Sequence, residues 1–334
     1  MKAENLLPPF PNGWYAVSLS QALPVGGVRP LQFMGEQVVL FRTQGGEPCL
    51  VDAYCPHLGA HLGYGGAVVD ETIRCPFHGF CYDTNGRCVS TPYGSHIPPK
   101  AVAHTYPLKE CHGLILAYHH ANGEAPSWAP PTLEVAGWSS LLSQEWTLRG
   151  HPQETTENSV DVGHFSQIHG YTAVEMLQEL VTEGPYLNVR YAMSRNGAFF
   201  GRPVRAEFEI HAYGLGYSLV ELTVPTYELH SRLFVLATPI DRQQIRLRVA
   251  VQLRQDTRPA RIHPLLALAP RSWVNRLLAR QTFNGLVRDV QQDFMIWQHK
   301  RYVQPPILAA GDGPVGKFRI WARQFYPEAE RVHV

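Results

Sequence analysis

Short apolar runs separated by turn residues fill the first third of the chain. Trp14-Tyr-Ala-Val-Ser18, a turn at Pro24-Val-Gly-Gly27 and Gln37-Val-Val-Leu-Phe-Arg-Thr43 predict the strands of a small antiparallel β domain. The apolar run Cys49 to Tyr54 and the stretch Thr72 to Cys75 add strands, Asp83-Thr-Asn-Gly86 predicts a hairpin turn, and Leu114-Ile-Leu-Ala-Tyr118 the closing strand. Gly and Pro then break the pattern between Asn122 and Pro131, which places a boundary there and divides the chain into residues 1–125 and 126–334. From Leu187 to Gln255 β-branched and aromatic residues alternate with polar ones, as in Ala206–His211, Tyr217–Thr223 and Gln244–Val251, and predict one large curved antiparallel sheet. Between Arg271 and Tyr302 the residues Leu277, Leu278, Val287, Val290, Phe294 and Trp297 recur at helical spacing, predicting a long helix open to a break at Gly285. Strands first, then a sheet and a helix, make the expected class α+β.

A length of 334 residues suits two domains. Charged residues at 17% against 45% hydrophobic ones allow a large core and exclude a disordered chain. With 29 Lys and Arg against 28 Asp and Glu, the net charge of +1 offers no basic field, so nucleic acid is not an expected partner. The start, Met1 to Phe10, lacks a signal-peptide h-region, and no run approaches the ~18 apolar residues of a membrane span, which makes the cytoplasm the expected location. In that reducing compartment Cys49, Cys81, Cys88 and Cys111 are expected as ordinary thiols. No Gly-x-Gly-x-x-Gly follows a strand and no P-loop is present, so any electrons this chain uses must come from another protein.

Candidate chemistry begins at Cys55-Pro-His57, followed after 17 residues by Cys75-Pro-Phe-His78. Thiolates and imidazoles point to zinc or iron–sulfur chemistry. Structural zinc modules place Cys with Cys in one arm and His with His in the other. A Rieske [2Fe-2S] centre, in which two Cys hold one iron and two His the other, needs one of each from each loop, as found here. A zinc ribbon with the same four ligands is the alternative. The two loops, Cys55-Pro-His-Leu-Gly-Ala-His-Leu-Gly63 and Cys75-Pro-Phe-His-Gly79, resemble the Rieske iron–sulfur domain, which assigns Cys55, His57, Cys75 and His78 as cluster ligands.

A second concentration of acids and histidines runs from Glu157 to Gly170 on a predicted helix, with Thr155 or Asn158 near its start. Asp161 and His164 are three residues apart and share a face, whereas His164 and His169 differ by five residues, about 140° on an ideal helix. Both can reach one ion only if the helix ends or bulges near His169, and Gly170 suits an ending. Two imidazoles and a carboxylate form the facial triad of non-haem Fe(II) oxygenases, so a third ligand is needed. Asp161 is the nearest candidate.

Residues 157–169 resemble the mononuclear iron motif of Rieske non-haem iron oxygenases. That resemblance implies His164, His169 and the late Asp293 as iron ligands, with Asp289, one helical turn earlier, as the rival. It implies for Asp161 a bridging role, hydrogen-bonded to His164 and to His78 of a neighbouring subunit within a homotrimer. The implied architecture is an all-β Rieske domain followed by a helix-grip catalytic domain, and the implied cofactors are the cluster and mononuclear Fe(II), with O2 as co-substrate. A ferredoxin or flavin reductase would supply electrons from NAD(P)H. Within the family, the first ligand loop, His151-Pro-Gln-Glu154 and Ile296-Trp-Gln-His-Lys-Arg-Tyr302 look most like 3-ketosteroid 9α-hydroxylases and cholesterol 7-desaturases. Hydroxylation or desaturation of a hydrophobic, steroid-like substrate is therefore expected; a small aromatic substrate, or an electron carrier without oxygenase activity, is the alternative. Phe80, where the family often has Trp, and Gln298, where an acid is frequent, depart from the pattern without touching a proposed ligand.

Three further features carry simpler expectations. His61 either tunes the cluster or packs in its loop, His119-His120 is expected in solvent, and Pro264-Leu-Leu-Ala-Leu-Ala-Pro270 is expected as a buried loop, with contact to a membrane or substrate as the alternative.

Overall fold

Strand Gly13–Leu19 pairs antiparallel with Leu114–His119, which pairs in turn with Leu108–Cys111. This computed structural model describes residues 7–94, 96–199, 202–262 and 264–333, so the start at residues 1–6 lies outside the described residues. Two four-stranded sheets complete the amino-terminal part. One contains Val28–Phe33, Glu36–Arg42, Pro48–Asp52 and Thr105–Tyr106; the other contains Ala67–Val69, Thr72–Arg74, Cys81–Tyr82 and Cys88–Ser90. Asp83 accepts from the backbone N–H of Gly86 at 2.9 Å to close the predicted hairpin, and Gly86 takes the left-handed φ of 76° that the turn requires. Val28–Phe33 was not legible as a strand because Pro30 interrupts it. Its place at the sheet edge leaves that missing donor harmless.

The carboxyl-terminal part is built on a seven-stranded antiparallel sheet in the order Leu142–Arg149, Gln244–Leu253, Leu229–Pro239, Tyr217–Val224, Arg202–Tyr213, Tyr186–Phe199, Thr172–Glu183. The two outermost strands extend the sheet beyond the predicted Leu187–Gln255. Thr172–Glu183 sets half-buried Val174 and Leu180 on the core and Leu142–Arg149 sets Leu142, Trp146 and Leu148, so the inward positions alternate but are too sparsely apolar to stand out in the sequence.

Helices α1 (Pro152–Glu157) and α2 (Val162–Gln167) lie between the first two of these strands in sequence, and α3 (Pro259–Ile262) precedes the 29-residue α4 (Arg271–His299); α5 is Val315–Ala322. Helix α4 packs Val290 and Trp297 on Leu247 and Val249 of the sheet, giving the helix-grip arrangement. It runs unbroken through Gly285. A single internal glycine costs about 1 kcal/mol relative to alanine, and the packed neighbours outweigh that.

The two parts share a core. Trp14 and Tyr118 pack with Tyr217, Phe234 and Leu236, and the carbonyl of Ala16 accepts from Thr238 Oγ1 at 3.0 Å. Two expectations change. His119 packs edge-on against Phe10 and Phe33, and burial pulls its pKa down to about 4, because the closing strand runs into the interior. Pro264–Leu268 is an exposed 3₁₀ turn whose Leu268 is 87% exposed, while Leu266 and Ala269 turn inward.

Candidate active site

Helix α1 is capped by the His151 imidazole, which accepts from the Gln153 N–H at 3.1 Å, and carries Pro152 at its first position. A break follows, and α2 starts at Asp161, whose carboxylate accepts from the His164 N–H at 3.2 Å. The single predicted helix is thus two short ones. Helix α2 ends at Gln167, two residues before His169, and Gly170 adopts φ 69°. That ending releases His169 from helical geometry and turns it towards His164; the ring centroids lie 5.0 Å apart at 79°.

Asp293 on α4 completes the set. One ligand atom each from His164, His169 and Asp293 lies within 4.8 Å of the others, and His169 Nε2 is 3.6 Å from Asp293 Oδ2. Asp289 does not join them. It is engaged by Arg195 Nη1 at 2.6 and 2.8 Å and by the Tyr171 hydroxyl at 3.0 Å.

Both imidazoles are oriented from behind. His169 Nδ1 donates to Gln292 Oε1 at 2.9 Å, and His164 Nδ1 donates to the backbone carbonyl of Asp161. Since both partners are oxygens that only accept, each ring carries its proton on Nδ1 and presents a lone pair on Nε2. Burial pulls the His164 pKa down to about 4, so the ring is neutral at pH 7. Burial pushes Asp293 up to about 6, against the opposing pull of His169 and an Asn158 hydrogen bond. The expected hydrogen bond from the His164 imidazole to the Asp161 carboxylate is not formed; that carboxylate lies 3.9 Å from Nδ1 and caps α2 through the His164 backbone N–H instead. Glu157, which opens the motif, forms a buried two-pronged ion pair with Arg319 of α5 at 2.7 and 2.9 Å. Gln292 and Asn158 were missed in the sequence, where a helical amide carries no signal of what it faces.

The Cys55 and Cys75 loops are built alike. Cys55 O accepts from Gly59 N at 2.9 Å and Cys75 O from Gly79 N at 3.1 Å, with both glycines at φ near 70° (74° and 70°). Burial and the neighbouring Cys55 thiol push the Cys75 thiol up, and the rings of His57 and His78 meet edge-to-face at 4.8 Å. Cysteines are therefore paired with cysteine and histidines with histidine. His57 Nδ1 is buried without a hydrogen-bond partner, an orphan that a metal ligand would satisfy. The residues fit a two-iron cluster. Tyr82 places its hydroxyl 3.1 Å from Cys55 Sγ, and Phe80, expected clear of the ligands, instead stacks on His57 at 4.3 Å because the second loop folds back over the first. His61 packs within its loop, its Nδ1 accepting from Gly63 N at 3.0 Å.

A cavity of about 590 Å³ opens onto His164, His169 and Asp293. Its wall is largely apolar, with Met193, Phe208, Ile210, Val220 and Leu233 from the sheet and Trp297 from α4. This size is that of a small-molecule site.

Comparison with known proteins agrees with this geometry. Residues 13–107 match the Rieske [2Fe-2S] domain and residues 117–326 the 3-ketosteroid 9α-hydroxylase C-terminal domain. A cholesterol 7-desaturase of Bombyx mori is 33% identical over 97% of this chain and 71% of its own length. The oxygenase component of 3-ketosteroid-9-alpha-monooxygenase from Rhodococcus rhodochrous is 27% identical over 97% of this chain and 84% of its own. Among solved structures, dicamba monooxygenase bound to dicamba covers 97% of this chain, and 99% of that chain is matched, with a TM-score of 0.68 at 18% identity, a likeness of fold.

Proposed function

Because this chain belongs to the Rieske oxygenases that carry the 3-ketosteroid 9α-hydroxylase catalytic domain, we propose that it hydroxylates or desaturates a C–H bond of a polycyclic, steroid-like substrate. The observation that carries the substrate class is the cavity of about 590 Å³ with a largely apolar wall that opens onto His164, His169 and Asp293. When bound, the [2Fe-2S] cluster supplies single electrons and the mononuclear iron activates O2.

On this reading Cys55, His57, Cys75 and His78 hold the cluster within residues 1–125, and His164, His169 and Asp293 hold the iron within residues 126–334. Gln292 and the Asp161 carbonyl keep the Nε2 lone pairs aimed at the metal. The apolar wall excludes water and holds the substrate against the open side of the triad. Asp161 has a half-exposed carboxylate whose single hydrogen bond among the described residues is the α2 cap, which leaves an oxygen able to meet His78 of a neighbouring subunit in a homotrimer. A ferredoxin or flavin reductase drawing on NAD(P)H is the proposed electron source. Six unpaired cysteines suit the cytoplasm, and no described helix is long and apolar enough to cross a membrane.

The test is turnover with a surrogate reductase across sterols, ketosteroids and small aromatics, with products identified by mass. Oxygenated or desaturated steroids are expected. Conversion of small aromatics alone would overturn the substrate class.

A further inference from the structure

The outer wall of the cavity carries a run of exposed apolar residues bordered by arginines. Within the 3₁₀ turn Pro264–Leu268 and the first two turns of α4, Leu268 is 87% exposed, Leu265 69%, Trp273 53% and Leu277 38%. Single exposed apolar residues are ordinary, but four large ones within thirteen positions form a contiguous feature. The underside of the same segment is firmly seated. Leu266, Ala269 and Leu278 pack with Val204, Val224 and Leu229, which also line the cavity. The patch is therefore the solvent side of the wall whose inner side faces the cavity.

Its rim is basic. Arg258, Arg261, Arg271, Arg276 and Arg280 are all exposed. Arg276 and Arg280 lie within one turn of Trp273 and Leu277 on α4. The nearby acids are few. Glu228 is shared between Arg258 at 3.9 Å and Arg261 at 3.3 Å, and Asp256 is taken by Arg254 at 2.7 Å. In a chain of net charge +1, this is a local excess of positive charge beside exposed leucine and tryptophan.

We propose that this patch docks the protein onto an anionic lipid bilayer, with Leu268 and Trp273 inserted at the headgroup level and the arginines on the lipid phosphates. Apolar side chains on one face with arginines beside them are what an interfacial segment needs, and tryptophan favours that depth. Charge favours an anionic surface over a two-fold contact with a second copy, which would set these arginines against their own counterparts. Entry of a lipid-like substrate from that bilayer rests on the substrate reading above; the docking itself does not.

The experiment is co-sedimentation of the cluster-loaded protein with vesicles of phosphatidylcholine, with and without phosphatidylglycerol, at low and high salt. Binding to the anionic vesicles, weakened by salt, is expected. Leu268→Asp and Trp273→Asp should each lower it at least about tenfold, and Arg276→Glu about fivefold or more. Val25→Asp, at an exposed apolar site in the amino-terminal part, should leave it unchanged. Absence of binding to anionic vesicles, or binding indifferent to Leu268→Asp, overturns the proposal. So does a larger assembly in size-exclusion chromatography that Leu268→Asp dissolves without any vesicle binding, which assigns the patch to another copy. Turnover of detergent-dispersed steroid by Leu268→Asp is measured separately. Its success alongside lost vesicle binding, or its failure in both proteins, separates the docking from the substrate reading.

Discussion

His169 Nδ1 lies 2.9 Å from the side-chain oxygen of Gln292, the residue immediately before Asp293, so one turn of α4 both supplies a carboxylate and aims an imidazole. Gln292→Leu should weaken iron binding about 10- to 100-fold while leaving the cluster's visible absorption intact. Gln292→Glu, which keeps an acceptor oxygen, should restore most of it. The readout is iron retained after dialysis against a chelator, and equal retention in the Leu variant would remove Gln292 from the site.

Asp289 and Asp293 separate cleanly by variant. Asp293→Asn should lose one iron of three while the protein stays red-brown. Asp289→Asn should keep all three irons and lose about 1–3 kcal/mol of stability, seen as a Tm lower by several degrees, because Arg195 and Tyr171 lose their shared partner. Metal analysis showing the reverse pattern would exchange their roles.

Asp161 both caps α2 and presents an outward carboxylate. Asparagine caps as well as aspartate does, so Asp161→Asn should keep Tm, cluster and iron but lose most turnover. Asp161→Ala should lose turnover and about 1 kcal/mol of stability besides. Full activity in the Asn variant would reduce Asp161 to a cap.

The Tyr82 hydroxyl, 3.1 Å from Cys55 Sγ, donates to that sulfur when it is a thiolate ligand. Tyr82→Phe keeps the buried ring and removes one hydrogen bond from the more reduced state. The cluster's midpoint potential should fall by ~40 mV, the equivalent of ~1 kcal/mol for one electron. Voltammetry reads it, and an unchanged potential would show that the hydroxyl does not donate to the cluster.

His151 caps α1 through Nδ1 while Nε2 donates to Pro8 O at 3.0 Å, and burial holds its pKa at about 4. The unfolded chain takes up this proton near pH 6.5 and the folded chain only near 4. Between those values the unfolded state binds more protons, so stability falls as pH falls, by up to about 3 kcal/mol from this group. Denaturant titrations at pH 7.5 and pH 4.5 should show a smaller difference for His151→Asn, which caps without titrating. An equal difference would place the acid sensitivity elsewhere.

Sequence by itself determined what is local. The spacing of Cys55, His57, Cys75 and His78, the alternation between Leu187 and Gln255, and the helical period after Arg271 all act over a few residues, and their chemistry survives any arrangement of the chain. Strands such as Thr172–Glu183, which sets a sparse Val174 and Leu180 against the core, left no such trace. Only the tertiary structure decided which carboxylate of α4 faces the histidines. Asp289 and Asp293 sit one turn apart on one face, and what distinguishes them is Arg195 and Tyr171, brought to Asp289 from 94 and 118 residues away. Whereas the helix end before Gly170 that lets His164 and His169 converge was legible, the same holds for Gln292 behind His169 and for Leu268 facing solvent while Leu266 packs on the core. Each depends on which distant surface arrives to bury, pair or desolvate a side chain, and no short-range pattern encodes that.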